Sequence, residues 1–167
     1  MKFCLDTNVF VQAWNGYYAM DFFPDYWESF DRYAQKGIIF STEEVKREIS
    51  TIDDELKNWL SSRGYFFKPI DEKVQECLEE VFRDERHHRL VDSVKGRSKA
   101  DPWVIAHALA EDAIVVTKEE SAPPNSSRIK IPNVCDDLGI EWINDYDLIR
   151  QLGLKFTIDQ RKMTPKQ

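Results

Sequence analysis

The chain has few of the residues that mark several other classes of protein. Its 167 residues include only three cysteines, six glycines and seven prolines. Three cysteines without metal-ligand spacing exclude a disulfide framework and suit a reducing compartment. The longest apolar runs fall far short of the ~20 residues that span a bilayer, and the first such run meets an acid after three residues, unlike an export signal. We therefore expect a cytoplasmic protein with no membrane association.

Positive charge is also scarce. Lys and Arg number 23 against 30 Asp and Glu, which gives a net charge of -7. Because nucleic acids are held mainly by basic side chains paired with phosphates, this balance argues mildly against such a partner. Residues 83–100 are an exception, with six basic and three acidic side chains. This segment runs directly into Asp101 and can be interpreted either as a guide for a phosphate backbone or as ordinary solvated surface.

The pattern of apolar residues indicates an α/β fold. Short runs of β-forming residues alternate with longer helical patterns, as in β-α units around a mainly parallel sheet. Strands are predicted at about 2–5, 37–40, 113–117 and 140–143, and helices at 22–33, 42–49, 53–61, 71–82 and 100–111. We expect a single domain over residues 1–156, followed by a polar tail at 157–167.

Two helix starts carry recognisable signals. Ser41 is the predicted N-cap of the helix at 42–49, since Glu44 three residues later completes a capping box. Asp101 is the predicted N-cap of the helix at 100–111, with Pro102 at the first helical position.

Four acids stand just past predicted strands or on the helices that follow them. Asp6 ends the run Phe3-Cys4-Leu5, Glu48 lies late in the helix at 42–49, Asp101 begins a helix, and Glu119 follows a strand by two residues. Each alone is compatible with a cap or a solvated position. Because ligands of open α/β sheets bind at the carboxyl ends of the strands, the four could converge there.

Such a cluster would repel itself without a counter-ion. Carboxylate oxygens are the hard ligands that Mg²⁺ and Mn²⁺ prefer, and two such ions ~3.5–4 Å apart recur in phosphodiester cleavage. A metal-dependent phosphoryl-transfer site follows as a hypothesis.

Three motifs make the resemblance specific. The opening Leu5-Asp6-Thr7-Asn8-Val9, the helix from Ala100 to Ala108 and the strand end Val115-Val116-Thr117-Lys118-Glu119 resemble the motifs of PIN-domain ribonucleases. The chain is most similar to a bacterial PIN subfamily of unknown function, which is also marked by Lys130-Ile131-Pro132-Asn133-Val134-Cys135, and is similar more widely to toxin–antitoxin PIN nucleases.

This resemblance implies a three-layer α/β/α sandwich with a central, mainly parallel sheet. It implies a Mg²⁺- or Mn²⁺-dependent endoribonuclease that hydrolyses RNA, with Asp6, Glu48, Asp101 and Glu119 as catalytic metal ligands. Asn8 and Thr117 are expected as their polar neighbours, and we expect Arg97, Lys99 and Lys118 to contact the substrate. A small antitoxin protein and a homodimer are further implied partners.

Two departures from the family pattern leave alternatives open. The fourth acid is commonly Asp in Thr-x-Asp, whereas this chain has Glu119, which puts the second metal in question. Glu44 lies one turn before Glu48 on the same helix face; we prefer Glu48 because the family's acid lies about two turns into this helix.

Other classes fit less well. Haloacid-dehalogenase-type phosphatases need a second Asp at the position of Asn8, and receiver domains need a lysine on a separate later strand, whereas Lys118 follows Thr117 directly. A degenerate PIN scaffold that binds protein or RNA without catalysis is the remaining alternative.

Overall fold

A computed structural model describes residues 1–52, 54–91 and 99–157. In these residues, five strands form one parallel sheet in the order β3-β2-β1-β4-β5. The strands are β1 (Phe3–Leu5), β2 (Ile39–Thr42), β3 (Phe67–Lys68), β4 (Ile114–Val116) and β5 (Trp142–Ile143). The α-helices are α1 (Thr7–Asn15), α2 (Pro24–Gln35), α3 (Glu43–Ile52), α4 (Asp54–Ser61), α5 (Glu72–Phe82), α6 (Asp101–Glu111), α7 (Ile131–Leu138) and α8 (Asp145–Gln151).

The central strand β1 is buried on both faces. Phe3, Cys4 and Leu5 are all at most 2% exposed, and they pair in parallel with β2 on one side and β4 on the other. A strand covered on both faces reads as a continuous apolar run, which is why this run identified it. The chain moves outward from β1 to β3, then crosses to β4 on the opposite side of β1. This change of direction is the topological switch point at which open α/β sheets bind ligands.

Helices flank the sheet, so the predicted α/β/α sandwich is confirmed. Helix α6 contacts β1, β2 and β4 and packs against α5 and α7, while α1 packs against α3, and α2 and α3 contact β2. Helix α6 is apolar around most of its circumference, as expected of a helix packed between the sheet and its neighbours. None of the described helices is long and apolar enough to cross a bilayer.

Aromatic side chains fill the core beside α2. Trp27 is fully buried and lies edge-on to Trp14 and Trp59, with ring centroids 5.0 and 5.1 Å away. Tyr26 stacks on Phe30 at 4.3 Å. Edge-to-face and offset-stacked rings add about 0.5–1.5 kcal/mol per pair to the free energy gained from burial. The amphipathic aromatic stretch predicted at 22–33 is therefore a core helix, with bounds shifted by two residues.

Both predicted helix caps are wrong in detail. Ser41 belongs to β2, where its hydroxyl donates to the carbonyl oxygen of Leu5 at 2.6 Å. Thr42 makes the capping bond instead, since its Oγ1 accepts from the backbone N–H of Val45 at 3.2 Å. Ala100 occupies the N-cap position of α6, so Asp101 is the first residue of the helix. In each case the chain enters the helix one residue later or earlier than the capping pattern indicated.

Strand β3 and helix α8 are two of the elements that the sequence did not predict. Strand β3 has two residues and pairs with Ser41 and Thr42, too short for an alternating pattern to appear. Helix α8 begins after Asn144, whose side chain accepts from the N–H of Asp147 at 2.9 Å. The tail predicted at 157–167 lies, after Thr157, outside the described residues.

Candidate active site

A cleft of about 520 Å³ opens at the carboxyl ends of β1 and β4. Its size is ordinary for a small-molecule site. The lining side chains come from α1, α3, the start of α6 and the segment after β4: Asp6, Thr7, Asn8, Val11, Gln12, Glu48, Thr51, Ile52, Asp101 and Glu119. All four acids singled out in the sequence therefore line one cleft, and no Lys or Arg among the described residues lines it with them.

Asp6 forms the floor of the cleft and is 3% exposed. It stands at the N-cap position of α1 but makes no capping hydrogen bond with its side chain. Its Oδ2 accepts instead from the hydroxyl of Thr117 at 2.8 Å. Burial raises the pKa of Asp6 to about 7; Glu119 and Glu48 add to the rise, and the Thr117 hydroxyl opposes it. The cleft thus brings the buried carboxylate of Asp6 close enough to Glu119 and Glu48 for their negative charges to interact.

Asn8 and Thr117 join the ends of β1 and β4. The amide nitrogen of Asn8 donates to Thr117 Oγ1 at 3.2 Å, and its amide oxygen accepts from the backbone N–H of Lys118 at 2.9 Å. Thr117 Oγ1 also accepts from the backbone N–H of Glu119 at 3.1 Å. The hydroxyl hydrogen of Thr117 is then directed at Asp6, which fixes the orientation of that carboxylate.

Glu48 reaches the cleft from α3. Its Oε2 accepts from the hydroxyl of Thr7 at 2.5 Å, so the first residue of α1 holds an acid of α3. Glu44, the alternative one turn earlier, does not line the cleft and pairs with Arg47 on its own helix. The two acids share a helical face in the sequence, but only Glu48 contacts the site.

Asp101 is 8% exposed and begins α6. A carboxylate in the first turn of a helix is stabilised by the positive end of the helix dipole. Pro102, which has no N–H to donate, follows it in the first turn of the helix.

Glu119 serves two elements. Its Oε2 accepts from the backbone N–H of Ile131 at 3.1 Å, at the first residue of α7. This carboxylate therefore satisfies one of the N–H groups that a helix start leaves without an intrahelical partner. The longer side chain of Glu, compared with Asp, spans from the end of β4 to α7 while still lining the cleft.

The three predicted substrate contacts lie in different surroundings. Lys118 is only 15% exposed, and its ammonium contacts both carboxylate oxygens of Asp145 at 2.8 Å. Its positive charge is therefore offset inside the protein. Lys99 is exposed and lies two residues before Asp101. Arg97 lies outside the described residues, as does most of the basic segment around it.

A second group of possible metal ligands lies away from the cleft. One ligand atom each of Asp84, His87 and Asp137 lies within 4.8 Å of the other two. Among the described residues, no three of the cleft acids have carboxylate oxygens that lie this close together. However, the guanidinium of Arg86 donates to both carboxylates, at 2.6 and 3.1 Å, and so already offsets their negative charge.

His87 and His107 are buried and bonded within the protein. His87 lies among charged residues in the sequence, but it is 1% exposed and its ring nitrogens bond the carbonyl oxygen of Val81 and the carboxylate of Asp137. His107 is fully buried, and its ring nitrogens lie 2.8 and 3.3 Å from the carbonyl oxygens of Trp103 and Pro69. Neither lines the cleft.

The cleft residues fit a hard divalent cation. The available donors are oxygens, mainly carboxylates, which are the ligands that Mg²⁺ and Mn²⁺ prefer. The contacts missed in the sequence are those that support these oxygens: Thr7 with Glu48, and the α7 backbone with Glu119. In the sequence, the only sign that Thr7 contributes to the site is its position between Asp6 and Asn8.

Comparison with known proteins agrees with this architecture. The fold and the site's position define a PIN-like α/β protein. Residues 3–156 match the family described as "Domain of unknown function (DUF4411)", and the chain belongs to that family. Among curated proteins, none matches the chain.

A solved structure shares the fold. It is described as "Crystal structure of VapBC2 from Rickettsia felis bound to a DNA fragment from their promoter". The superposition has a TM-score of 0.53 at 17% identity and covers 86% of this chain and 98% of that chain. The family match and this shared fold together confirm the resemblance to PIN domains that the sequence motifs indicated.

Proposed function

We propose that this protein is a metal-dependent endoribonuclease that hydrolyses RNA phosphodiester bonds. The observation that carries the proposal is the convergence of Asp6, Glu48, Asp101 and Glu119, from four separate elements, on one cleft without a basic side chain among its described lining. Carboxylates brought together in this way are costly unless a cation compensates them. Mg²⁺ or Mn²⁺ suits an all-oxygen set of ligands.

Each residue has a distinct role in this proposal. Asp6 and Asp101 would hold the cation at the floor, with Glu48 and Glu119 completing the shell. Thr117, Asn8 and Thr7 orient the carboxylates through the hydrogen bonds described above. A bound divalent cation supplies an easier deprotonation of water and offsets charge on the phosphate. No side-chain nucleophile is required.

The positive charge that guides RNA is proposed to come from the segment that contains Arg97 and Lys99. Exposed Lys99, two residues before Asp101, stands at the entrance to α6. Lys118 would contribute indirectly, since its side chain pairs with Asp145 and its backbone N–H holds Asn8.

The test uses purified protein and mixed RNA with Mg²⁺ or Mn²⁺, then with chelator. We expect cleavage that chelator abolishes, that Asp6→Asn removes, and that Glu48→Gln lowers at least about 100-fold, as loss of a catalytic contact does. Glu44→Gln is the matched control on the same helix and should retain activity. Cleavage that persists in Asp6→Asn would refute the site. If the wild type does not cleave, the non-catalytic scaffold becomes the better explanation.

We further propose a cytoplasmic toxin whose partner is a small antitoxin protein, with the toxin itself a homodimer. The support is the PIN resemblance together with the fold shared with the VapBC2 structure. Light scattering of the purified chain tests the dimer. Co-expression with a small protein encoded by an adjacent gene, followed by the RNA assay, tests inhibition by a partner.

A further inference from the structure

The outer wall of the cleft differs chemically from its floor. Beyond the acids, the lining consists of Val11 and Gln12 on α1 and Thr51 and Ile52 on α3. Ile52 is 56% exposed, an unusual position for a large aliphatic side chain at the last residue of a helix. Because Ile52 lines the same cleft as the four acids, its side chain is accessible to a ligand bound there.

Helical spacing connects this wall to the acid cluster. On α1, Val11 and Gln12 lie one turn after Thr7 and Asn8; on α3, Ile52 lies one turn after Glu48. Residues one turn apart are neighbours on a helix face, with Cβ atoms about 5–6 Å apart. In a stacked strand successive nucleotides rise about 3.4 Å, so the wall lies within two nucleotide steps of a phosphate at the floor.

The amide of Gln12 is available to a ligand. The residue is exposed, and among the described residues its carboxamide has no hydrogen-bond partner. A carboxamide offers a donor and an acceptor side by side, which is the arrangement that base edges present. Val11 is half-buried against the core, and with Ile52 it offers aliphatic surface to the flat face of a base.

We propose that Val11, Gln12 and Ile52 form a subsite for the nucleobase next to the cleaved phosphate. This inference rests on the proposed ribonuclease function and adds to it the residues that contact the base, which must be unpaired to be splayed onto a protein surface. Ile52 and Val11 contact the base face, and Gln12 bonds its edge. The acid cluster acts on the backbone, whereas this wall selects the base.

The experiment maps cleavage positions in a random-sequence single-stranded RNA pool by sequencing the products. The wild type is expected to favour one or two bases beside the cut. In Gln12→Ala this preference should fall at least about five-fold, the lower end of what a lost base contact costs. Ile52→Ala should raise KM without removing the preference, because it loses contact with the base face only.

Controls separate this subsite from general damage. Phe22→Ala removes an exposed aromatic side chain, 61% exposed, that does not line the cleft, and should leave both rate and preference unchanged. Thermal unfolding of each variant checks the fold, and Gln12→Asn, which keeps the amide, should retain part of the preference.

Two results would overturn the inference in different ways. If the wild type cleaves, and Gln12→Ala and Ile52→Ala cut at the same positions at the same rate, the subsite is wrong although the ribonuclease stands, and the wall becomes a candidate contact for a protein partner. If the wild type cleaves no RNA in the pool, the proposed function fails and the subsite fails with it.

Discussion

Replacing Lys118 with methionine removes one partner of an ion pair that is almost completely enclosed. The ammonium contacts both oxygens of Asp145 at 2.8 Å, and the two side chains are 15% and 4% exposed. In Lys118→Met the carboxylate stays buried without a cation, and breaking a buried pair in this way costs about 3–5 kcal/mol. For a chain of this size that corresponds to a fall in Tm of roughly 6–20 °C.

The assay is urea and thermal unfolding of the purified variants. Arg150→Met is the matched control, since Arg150 pairs with Asp147 at 2.7 Å but the two side chains are 74% and 43% exposed. Its loss should cost less than about 0.5 kcal/mol. The double variant Lys118→Met/Asp145→Asn should recover part of the stability, because it leaves no charge buried.

The same variant distinguishes a structural lysine from a substrate contact. If the Lys118 ammonium mainly contacted an RNA phosphate, Lys118→Met would weaken RNA binding and reduce the salt dependence of that binding. The free energy of unfolding would then be nearly unchanged. A destabilisation below about 1 kcal/mol would therefore refute our account of the pair.

Three further changes have expected outcomes. The Glu111 carboxylate contacts Lys2 and Lys68, and these bonds lower the pKa of Glu111 to about 2. The stability that the ionised carboxylate contributes is therefore complete above its ordinary pKa of 4.5 and is lost as the pH falls toward 2. Glu111→Gln should flatten the dependence of Tm on pH in that window. Gly139 ends α7 at φ 68° with open space around its Cα, so Gly139→Ala should cost about 1 kcal/mol in urea unfolding from backbone strain alone, and no change would contradict this. Thr117→Val removes the hydroxyl that donates to Asp6 and accepts from the Asn8 amide and the Glu119 backbone N–H. This should lower the free energy of unfolding by about 1–3 kcal/mol, and Thr117→Ser, which keeps a hydroxyl, should retain most of that stability.

Elements with strong local signals could be predicted from the sequence. β1 was recognisable because a buried parallel strand is continuously apolar, and Asp6 ends it abruptly. The acid set was recognisable because carboxyl ends of parallel strands meet at one edge. Glu48 was preferred to Glu44 from its depth in the helix, and in the structure it is Glu48 that lines the cleft.

Long-range partners could not be predicted in this way. Nothing local to Lys118 indicates that Asp145, 27 residues later, takes its charge. The cap of α3 is Thr42 and not Ser41 because β2 pairs with β3 and extends two residues past its predicted end. A strand of two residues, such as β3, is too short to be recognised in the sequence. The charged neighbours of His87 in the sequence likewise give no sign that its ring is buried and bonds the carbonyl oxygen of Val81 and the carboxylate of Asp137.

The hydrogen bond between Glu119 and the backbone N–H of Ile131 makes that N–H sensitive to what binds in the cleft. The amide belongs to the backbone of α7, yet its acceptor is one of the four acids. Any cation drawn to Glu119 changes the electric field at that N–H while the helix itself stays in place. The Ile131 amide resonance of ¹⁵N-labelled protein therefore offers a titration signal for occupancy of the cleft that needs no RNA and no turnover.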